Sequence, residues 1–119
     1  MDSKNTSLNR ILVAFSGGAD SSALALMLKQ LGFDLVLGHV DHQMRPSSAH
    51  DAARCVELAK GWRLPIEVAR VVVRPATEAE ARRVRYAALE KIADELGCVG
   101  IATGHTLDDD AETVAMRQQ

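Results

Sequence analysis

The sequence predicts an α/β fold with a doubly wound parallel sheet. Short apolar runs alternate with longer segments of helical periodicity, which is typical of strands joined by right-handed crossover helices. A second observation concerns the unusual polar clusters, because each of them directly follows one of the apolar runs. Since such sheets bind ligands beyond the carboxyl ends of their strands, these clusters are the candidate functional sites.

Four apolar runs are the candidate strands, and neighbouring residues set their limits. Pro65 marks the start of the third run and Pro75 ends it, since proline cannot donate a hydrogen bond to a neighbouring strand. The predicted strands are Ile11–Phe15, Leu35–Val40, Ile66–Val73 and Val99–Thr103. The sequence predicts no closing strand after the fourth.

Helical periodicity predicts one helix after each strand. Gly32 and Gly97 follow the first and third helices, where a left-handed residue commonly ends a helix. Thr77 and Glu80 have the spacing of a capping box, in which hydroxyl and carboxylate bind opposite backbone amides. The predicted helices are Ala23–Leu31, Ser47 or Ser48 to about Trp62, Thr77 to about Leu96, and Asp108–Arg117.

Composition excludes several function classes. The chain has 119 residues, of which 47% are apolar and 25% charged, the balance of an ordinary globular protein. A formal net charge of −2 argues against nucleic-acid binding over the whole surface, so RNA contact would require a local basic patch. No apolar run approaches the roughly 20 residues of a membrane span, and the polar N-terminus lacks a secretory signal. We therefore expect a cytoplasmic protein with no membrane partner.

A Ser-Gly-Gly-Ala-Asp-Ser loop follows the first strand and opens a helix. Two glycines allow the backbone to approach a ligand closely, and the helix N-terminus offers free N–H groups and a positive dipole to an anion. The alternative is a plain strand–helix turn capped by Asp20 or Ser21. The predicted phosphate-binding residues are Ser16, Gly17, Gly18, Ala19, Asp20 and Ser21.

This loop resembles the Ser-Gly-Gly-x-Asp-Ser signature of the ATP-pyrophosphatase, or PP-loop, family and matches it at every fixed position. The resemblance implies an adenine nucleotide alpha hydrolase-like, Rossmann-like fold with an adenine pocket beside the first strands. It further implies that the loop holds the pyrophosphate leaving group of ATP together with Mg²⁺, for which Asp20 and Asp108 are the candidate ligands.

Polar residues also end the second strand and open the third helix. We expect Asp41 and His42 on the ligand side of the sheet, and a metal site there is disfavoured because no third ligand has suitable spacing. Arg82 and Arg85 share a helix face, and with Tyr86 they have the chemistry to hold a phosphate or stack on a base. The alternative for the end of the second strand is an ordinary turn. The alternative for the arginines is a solvated helix face.

His105 and four carboxylates within five positions follow the fourth strand. Asp109 and Glu112 are three residues apart and share a face of the predicted helix. Crowded carboxylates repel one another unless a cation lies among them, so Mg²⁺ or a substrate amine is the expected counter-charge. An acidic helix N-terminus is the alternative.

Together these segments resemble the tRNA(Ile)-lysidine synthetase family. That family shows His-Val-Asp-His-Gly-Leu-Arg, then Ala-Arg-x-x-Arg-Tyr, then Gly-His-x-x-Asp-Asp-Gln-Ala-Glu-Thr. The chain departs from these motifs at Gln43, Met44 and Asp110, and residues 118–119 stand where the family continues with a basic, glycine-rich segment. We therefore expect residues 1–119 to be the N-terminal part of a single domain whose C-terminal remainder is absent.

The resemblance implies an ATP-dependent ligase that joins free L-lysine to the wobble cytidine of an isoleucine tRNA with a CAU anticodon. The base is first adenylated with release of pyrophosphate, and the lysine amine then displaces AMP. The catalytic candidates are Asp20, His105, Asp109 and Glu112. The candidates for lysine or tRNA binding are Asp41, His42, Arg82, Arg85, Tyr86, Asp109 and Glu112.

Two other functions stay open at this point. One is a tRNA thiolation enzyme of the same superfamily, a class that commonly relies on cysteines. Cys55 and Cys98 do not follow strand ends, and we expect both to be reduced and buried. The other is a non-catalytic ATP-binding fragment, which ATP binding without turnover would indicate. The sequence also leaves a homodimer open.

Overall fold

The structure is a computed structural model that describes residues 9–104 and 114–116. Within these residues, strands and helices alternate as far as the fourth strand. The elements are β1 (Arg10–Ala14), α1 (Ala19–Gln30), β2 (Asp34–Asp41), α2 (Ser48–Gly61), β3 (Ile66–Arg70), α3 (Glu78–Leu96), β4 (Gly100–Thr103) and β5 (Val114–Met116). No helix in this part of the chain is long and apolar enough to cross a membrane.

The strands form one sheet in the order β3-β2-β1-β4-β5. Strands β1 to β4 are parallel to one another, which confirms the predicted doubly wound α/β fold. The chain runs outward from β1 to β3 and then returns to β4 on the other side of β1. The strand order thus reverses between β1 and β4, and the carboxyl ends of the strands there form the crevice in which such sheets bind ligands.

Helices cover both faces of the sheet. On one face, Leu24 of α1 and Cys55 of α2 belong to a buried cluster with inward-facing side chains of β1 and β2. On the other face, Leu89 of α3 belongs to a second cluster with Leu12 and Ile101. Because both faces are covered, β1 and β2 are buried along almost their whole length, as is usual in parallel sheets. This core fixes the strand ends from which the candidate site is built.

The helix predicted over Asp108–Arg117 is wrong for residues 114–116, which form β5 and pair antiparallel to β4. A strand therefore does follow the fourth, and the sheet is mixed rather than wholly parallel. Pairing with β5 satisfies backbone groups that an open edge of β4 would leave without partners. The remainder of the predicted helix, residues 108–113 and 117, lies outside the described residues.

The third strand is shorter than predicted and ends at Arg70 rather than at Val73. The reason is its neighbour, because β2 ends at Asp41, the residue that pairs with Arg70. Val71 N still donates a hydrogen bond to Asp41 O at 3.0 Å, after which the backbone leaves the sheet.

Only half of the predicted capping box forms at the start of α3. The Thr77 hydroxyl accepts a hydrogen bond from Glu80 N at 3.1 Å, as expected. The Glu80 carboxylate instead pairs with Arg83, and Thr77 N donates to Pro75 O at 2.8 Å. At the other end, Gly97 has a φ of 70° and confirms the predicted left-handed end of the helix.

Candidate functional site

The Ser-Gly-Gly-Ala-Asp-Ser loop lies at the carboxyl edge of the sheet, between β1 and α1. Phe15 N, one residue beyond β1, donates to Gly38 O at 2.8 Å and keeps the chain beside β2 up to the start of the loop. Gly18 is the N-cap of α1, and Ser22 N makes the first helical hydrogen bond to Gly18 O at 3.0 Å. The first amides of α1 have no partner inside the helix, so the positive end of its dipole faces the loop.

Ser16 and Ser21 connect the two ends of the loop. The Ser21 hydroxyl, in a residue that is 4% exposed, accepts a hydrogen bond from Ser16 N at 3.1 Å and lies 3.1 Å from Ser16 Oγ. Ser16 Oγ also accepts from Gly18 N at 3.2 Å. Ser16 and Gly18 are exposed, so an incoming phosphate oxygen can replace the bond between them.

Gly17 occupies a position that only glycine fits without strain. Its φ of 86° is left-handed, and a Cβ atom would lie 3.1 Å from Cys55 Sγ and 3.4 Å from Arg54 Nη1. Arg54 of α2 also donates from Nη2 to Gly17 O at 2.9 Å. This charged donor fixes the peptide group that joins Gly17 to Gly18. Arg54 was not predicted from the sequence, since it lies 37 residues from Gly17 and no local pattern marks it.

The end of β4 lies directly against the start of α1. A Cβ atom at Gly104 would lie 3.1 Å from the carbonyl atoms of Asp20 and 3.2 Å from Ser21 N. Gly104 therefore lies beside the loop, and the residues that follow it, 105–113, lie outside the described part. Four predicted site residues fall in that segment: His105, Asp108, Asp109 and Glu112.

Ala19 and Asp20 are exposed in the first turn of α1. The helix dipole favours a carboxylate at this position, and the side chain is accessible to a cation. Among the described residues, no group of three His, Cys, Asp or Glu side chains could hold a metal ion. The single carboxylate of Asp20 nevertheless suits a Mg²⁺ ion that is bound together with a nucleotide. Nucleotide sites commonly bind Mg²⁺ through one or two carboxylates and the substrate phosphates.

A cavity of about 180 Å³ adjoins the loop at the ends of β1 and β2. Drug-sized ligands occupy pockets of about 300–1,000 Å³, so this cavity suits only a part of a nucleotide, such as its base. Arg45 Nη2 and Asp51 Oδ2, in two of the lining residues, form an ion pair at 3.1 Å. Other lining residues are Phe15, Ser16, His39, His42 and Arg85.

His39 lies beside this cavity and was not among the site residues predicted from the sequence. It is 8% exposed, and its Nδ1 lies 2.9 Å from Phe15 O and 3.5 Å from Cys55 Sγ. One sequence signal was present, because His39 continues the alternation of Leu35 and Leu37 on the face that α1 and α2 cover. A polar residue in an otherwise apolar inward row requires a partner or a function.

Asp41 and His42 lie at the carboxyl end of β2, as predicted, but they differ in environment. Asp41 is 4% exposed, accepts a hydrogen bond from Gln43 N at 3.0 Å, and has an ion pair with Arg70 at 3.6 Å. Its carboxylate therefore holds the turn. His42 is half-buried, accepts from Met44 N through Nδ1 at 3.3 Å, and lines the cavity.

Arg82, Arg85 and Tyr86 form one cationic surface on α3. The guanidinium carbons of Arg82 and Arg85 lie 5.4 Å and 5.5 Å from the centre of the Tyr86 ring. An open cleft of about 580 Å³ is lined by both arginines, by His42 and by Glu78. Arg85 also lines the cavity beside the loop, so this surface and the loop lie at the same edge of the sheet.

Cys55 and Cys98 are buried free thiols, as expected. Burial raises the pKa of both thiols. The smaller effect of a nearby arginine lowers it (Arg54 at Cys55, Arg10 at Cys98), and that of a nearby aspartate raises it further (Asp51 at Cys55, Asp34 at Cys98). Both are therefore protonated and shielded at neutral pH, which is unfavourable for a nucleophilic or sulfur-carrying role.

Comparison with protein families finds the family whose signature the loop carries. The sequence profile of the PP-loop domain family matches residues 2–119, which is nearly the entire chain.

The chain is also similar to curated proteins named tRNA(Ile)-lysidine synthase. The protein from Thermus thermophilus is 45% identical over 114 residues, which cover 90% of this chain and 22% of that protein. The protein from Gloeobacter violaceus is 47% identical over 110 residues, covering 87% of this chain and 33% of that protein. The chain thus spans about a fifth to a third of the length of these relatives.

Two solved structures share the fold. A U34-tRNA thiolase from Methanococcus maripaludis has a TM-score of 0.72 at 19% identity and covers 92% of this chain and 42% of its own. A protein from Methanocaldococcus jannaschii is described as a predicted subunit of tRNA methyltransferase. It has a TM-score of 0.61 at 28% identity, and the match covers 86% of this chain and 55% of that chain. At 19% identity, the first likeness concerns the fold alone.

Proposed function

The chain belongs to the PP-loop domain family, and on this premise we propose that it is the ATP-binding part of a tRNA(Ile)-lysidine synthase. Such an enzyme joins free L-lysine to the wobble cytidine of an isoleucine tRNA with a CAU anticodon. The observation that carries the proposal is the loop itself, in which the family signature is folded at a helix N-terminus and Arg54 fixes Gly17. The identity to curated lysidine synthases supports this branch of the family.

In the proposed first step, the carbonyl oxygen of cytidine attacks the α-phosphorus of ATP. The bond to the bridging oxygen breaks, and pyrophosphate leaves with the electron pair. Both in-line positioning and neutralisation of phosphate charge lower this barrier. The amides of Gly17 and Gly18 and the hydroxyls of Ser16 and Ser21 are assigned to the pyrophosphate. Asp20 would hold Mg²⁺, which supplies further charge neutralisation when bound.

In the proposed second step, the ε-amine of lysine attacks the activated ring carbon, and AMP leaves with the former carbonyl oxygen. The amine must lose a proton, so the step needs a carboxylate that attracts the ammonium form and then accepts a proton. We assign this task to Asp109 and Glu112, with His105 as a further acid–base candidate. Gly104, the residue that precedes this segment in the sequence, lies against Asp20.

The surface formed by Arg82, Arg85 and Tyr86 is the proposed contact for tRNA. Guanidinium groups bind phosphate, and the partly buried Tyr86 ring, which two cations flank, adds an aromatic surface on which a base can stack. This assignment requires only a local basic patch and not a basic protein surface as a whole, so it is compatible with the net charge of −2. We propose no direct substrate contact for Asp41, because its carboxylate is already bonded to Gln43 N and paired with Arg70.

The function is tested by incubating the chain with ATP, Mg²⁺, labelled lysine and unmodified isoleucine tRNA with the CAU anticodon. We expect ATP-dependent transfer of label to the tRNA, and loss of both label and pyrophosphate release in Asp20→Ala. ATP binding without transfer would contradict the proposed activity of this chain and favour a non-catalytic fragment. Transfer of label from a sulfur donor instead would favour thiolation, which the buried Cys55 and Cys98 make the weaker alternative.

The proposal also includes the context of the chain. We propose that residues 1–119 form the N-terminal part of a single PP-loop domain and that the protein acts in the cytoplasm, where tRNA, ATP and lysine occur together. A homodimer stays a prediction, and light scattering of the purified chain at several concentrations tests it.

A further inference from the structure

An open cleft of about 410 Å³ is formed by the turn that follows β2 and by the segment that joins β3 to α3. The turn contributes Gln43 and Met44 to its lining, and the segment contributes Val72 and Arg74. Met44 is 41% exposed and Val72 is 62% exposed, although both side chains are large and apolar. The cleft therefore presents apolar surface that the described part of the chain does not cover.

Hydrogen bonds connect the two walls of this cleft. Gln43 Nε2 donates to Val71 O at 3.0 Å, and Val71 N donates to Asp41 O at 3.0 Å. The Asp41 carboxylate accepts from Gln43 N at 3.0 Å and forms an ion pair with Arg70 at 3.6 Å. Because the walls are already connected, the protein loses less conformational freedom when a ligand fills the cleft.

Two residues of the cleft are also departures from the lysidine synthetase motif. Gln43 and Met44 stand where that motif has glycine and leucine. Gln43 has a φ of 56°, a left-handed conformation that glycine adopts freely and other residues rarely adopt. Its side chain is thus present at a conformational cost, and its amide bonds one wall to the other. The cleft therefore owes part of its construction to residues that the motif does not supply.

Arginines without an acidic partner lie along the same surface. Arg74 lines the apolar cleft and is exposed, whereas Arg82 and Arg85 line the open cleft on α3 together with Glu78. His42 lines both clefts, so the two adjoin each other. None of the three arginines forms an ion pair with a carboxylate of the described residues. Apolar walls beside unpaired guanidinium groups match single-stranded RNA, which has flat bases and anionic phosphates.

We infer that the apolar cleft binds one unstacked base of the RNA substrate, with the neighbouring phosphates on Arg74 and on the cationic surface of α3. Met44 offers a polarizable sulfur and Val72 an aliphatic side chain to the base, and a guanidinium group can stack on its ring. The volume lies in the range of about 300–1,000 Å³ that is usual for small-ligand sites. The inference rests on the proposed tRNA contact and adds a base-binding site to it.

The experiment measures binding of the chain to the anticodon stem-loop of the isoleucine tRNA by fluorescence anisotropy. Each loop base in turn is removed to leave an abasic sugar, which keeps the phosphates in place. We expect one abasic position to weaken binding to the native chain by about three- to tenfold. The slope of log Kd against log salt should stay the same for this stem-loop, because a lost base contact changes no phosphate contact.

Val72→Asn and Met44→Asn are the variants of the cleft. Val56→Asn on α2 and Met27→Asn on α1 are the matched controls, since both residues are exposed and neither lines the cleft. We expect each cleft variant to bind the intact stem-loop about threefold or more weakly and to lose its sensitivity to the abasic position, because the same contact cannot be lost twice. The controls should behave as the native chain does. Circular dichroism verifies that all four variants are folded.

Equal affinity of the native chain for every stem-loop, or of the cleft variants and the native chain for the intact one, would overturn the inference and leave the proposed function intact. The expected abasic pattern without transfer of labelled lysine would support the base site and contradict the proposed activity. Absence of stem-loop binding would overturn both the base site and the tRNA contact on α3. A dimer that only the cleft variants dissociate, measured by light scattering, would overturn the inference and assign the cleft to a second copy of the chain.

Discussion

The phosphate loop and the cationic surface of α3 lie at the same edge of the sheet but are held in different ways. In the loop, Gly17 is fixed by Arg54 from another helix, and Ser21 is buried behind it. On α3, the exposed Arg82 and Arg85 rest against the Tyr86 ring of their own helix. The loop is therefore held by contacts with another helix and with the core, whereas the described contacts of the two arginines with Tyr86 lie within their own helix. Rigid loops suit a small, constant ligand such as a phosphate chain, and adjustable cations suit a large RNA.

Gly17→Ala should have the largest effect, since it places a Cβ at a φ of 86° and at 3.1 Å from Cys55 Sγ. We expect a loss of stability of about 1–3 kcal/mol and an ATP affinity lowered by well over tenfold, measured by urea unfolding and isothermal titration. Gly32→Ala is the control, because its φ is 93° but nothing lies within 4 Å of the added Cβ. It should be destabilised yet bind ATP normally. Equal ATP affinity of the two variants would contradict a prearranged loop.

Arg54→Ala should weaken ATP binding about tenfold, because the carbonyl of Gly17 loses its charged donor. Lys60→Ala removes one positive charge from the far end of the same helix and should bind ATP as the native chain does. If both variants lose affinity equally, Arg54 acts through overall charge and not through the loop geometry.

Arg82→Ala should weaken tRNA binding several-fold without changing ATP affinity, since its described contacts are with Tyr86 and the open cleft. The slope of log Kd against log salt should fall by about one unit if Arg82 meets a phosphate. Arg83→Ala is the control on the same helix, because Arg83 is paired with Glu80. A tRNA affinity that is the same in Arg82→Ala and the native chain would remove the surface from the proposal.

The smallest effect concerns pH. Burial raises the pKa of the Cys55 and Cys98 thiols, so the folded state keeps protons that the unfolded state loses. Their contribution to stability is complete below the unfolded thiol pKa of about 8.5 and declines as pH rises above it. Urea unfolding between neutral pH and pH of about 10 should show this decline, and Cys98→Ala should reduce it. An identical pH dependence in native and variant chains would contradict burial of the Cys98 thiol as a cause of the decline.

Features whose signals are local were predictable from the sequence. The loop from Ser16 to Ser21 is contiguous, and its glycines and its position after a strand indicated the turn that the structure contains, whereas its phosphate ligand stays a prediction. Thr77 and Gly97 marked the ends of α3 for the same reason, because caps depend on residues within one helical turn.

Features that depend on tertiary contacts were not predictable in this way. Arg54 contacts Gly17 only because α1 and α2 pack on one face of the sheet. The contact of His39 with Phe15 O joins β2 to the residue that follows β1, and these residues are 24 positions apart in the sequence. The strand at Val114–Met116 forms by pairing with the edge of β4, and the three residues themselves carry too little pattern to indicate it.

The most direct test of the central claim is amide hydrogen exchange of the chain with and without ATP and Mg²⁺, read residue by residue by NMR. We predict that ATP slows exchange most strongly at the amides of Gly17, Gly18 and the first turn of α1, and that Gly17→Ala loses this protection. Binding of ATP that leaves these amides unchanged, or an absence of binding, would contradict the assignment of the loop as the phosphate site.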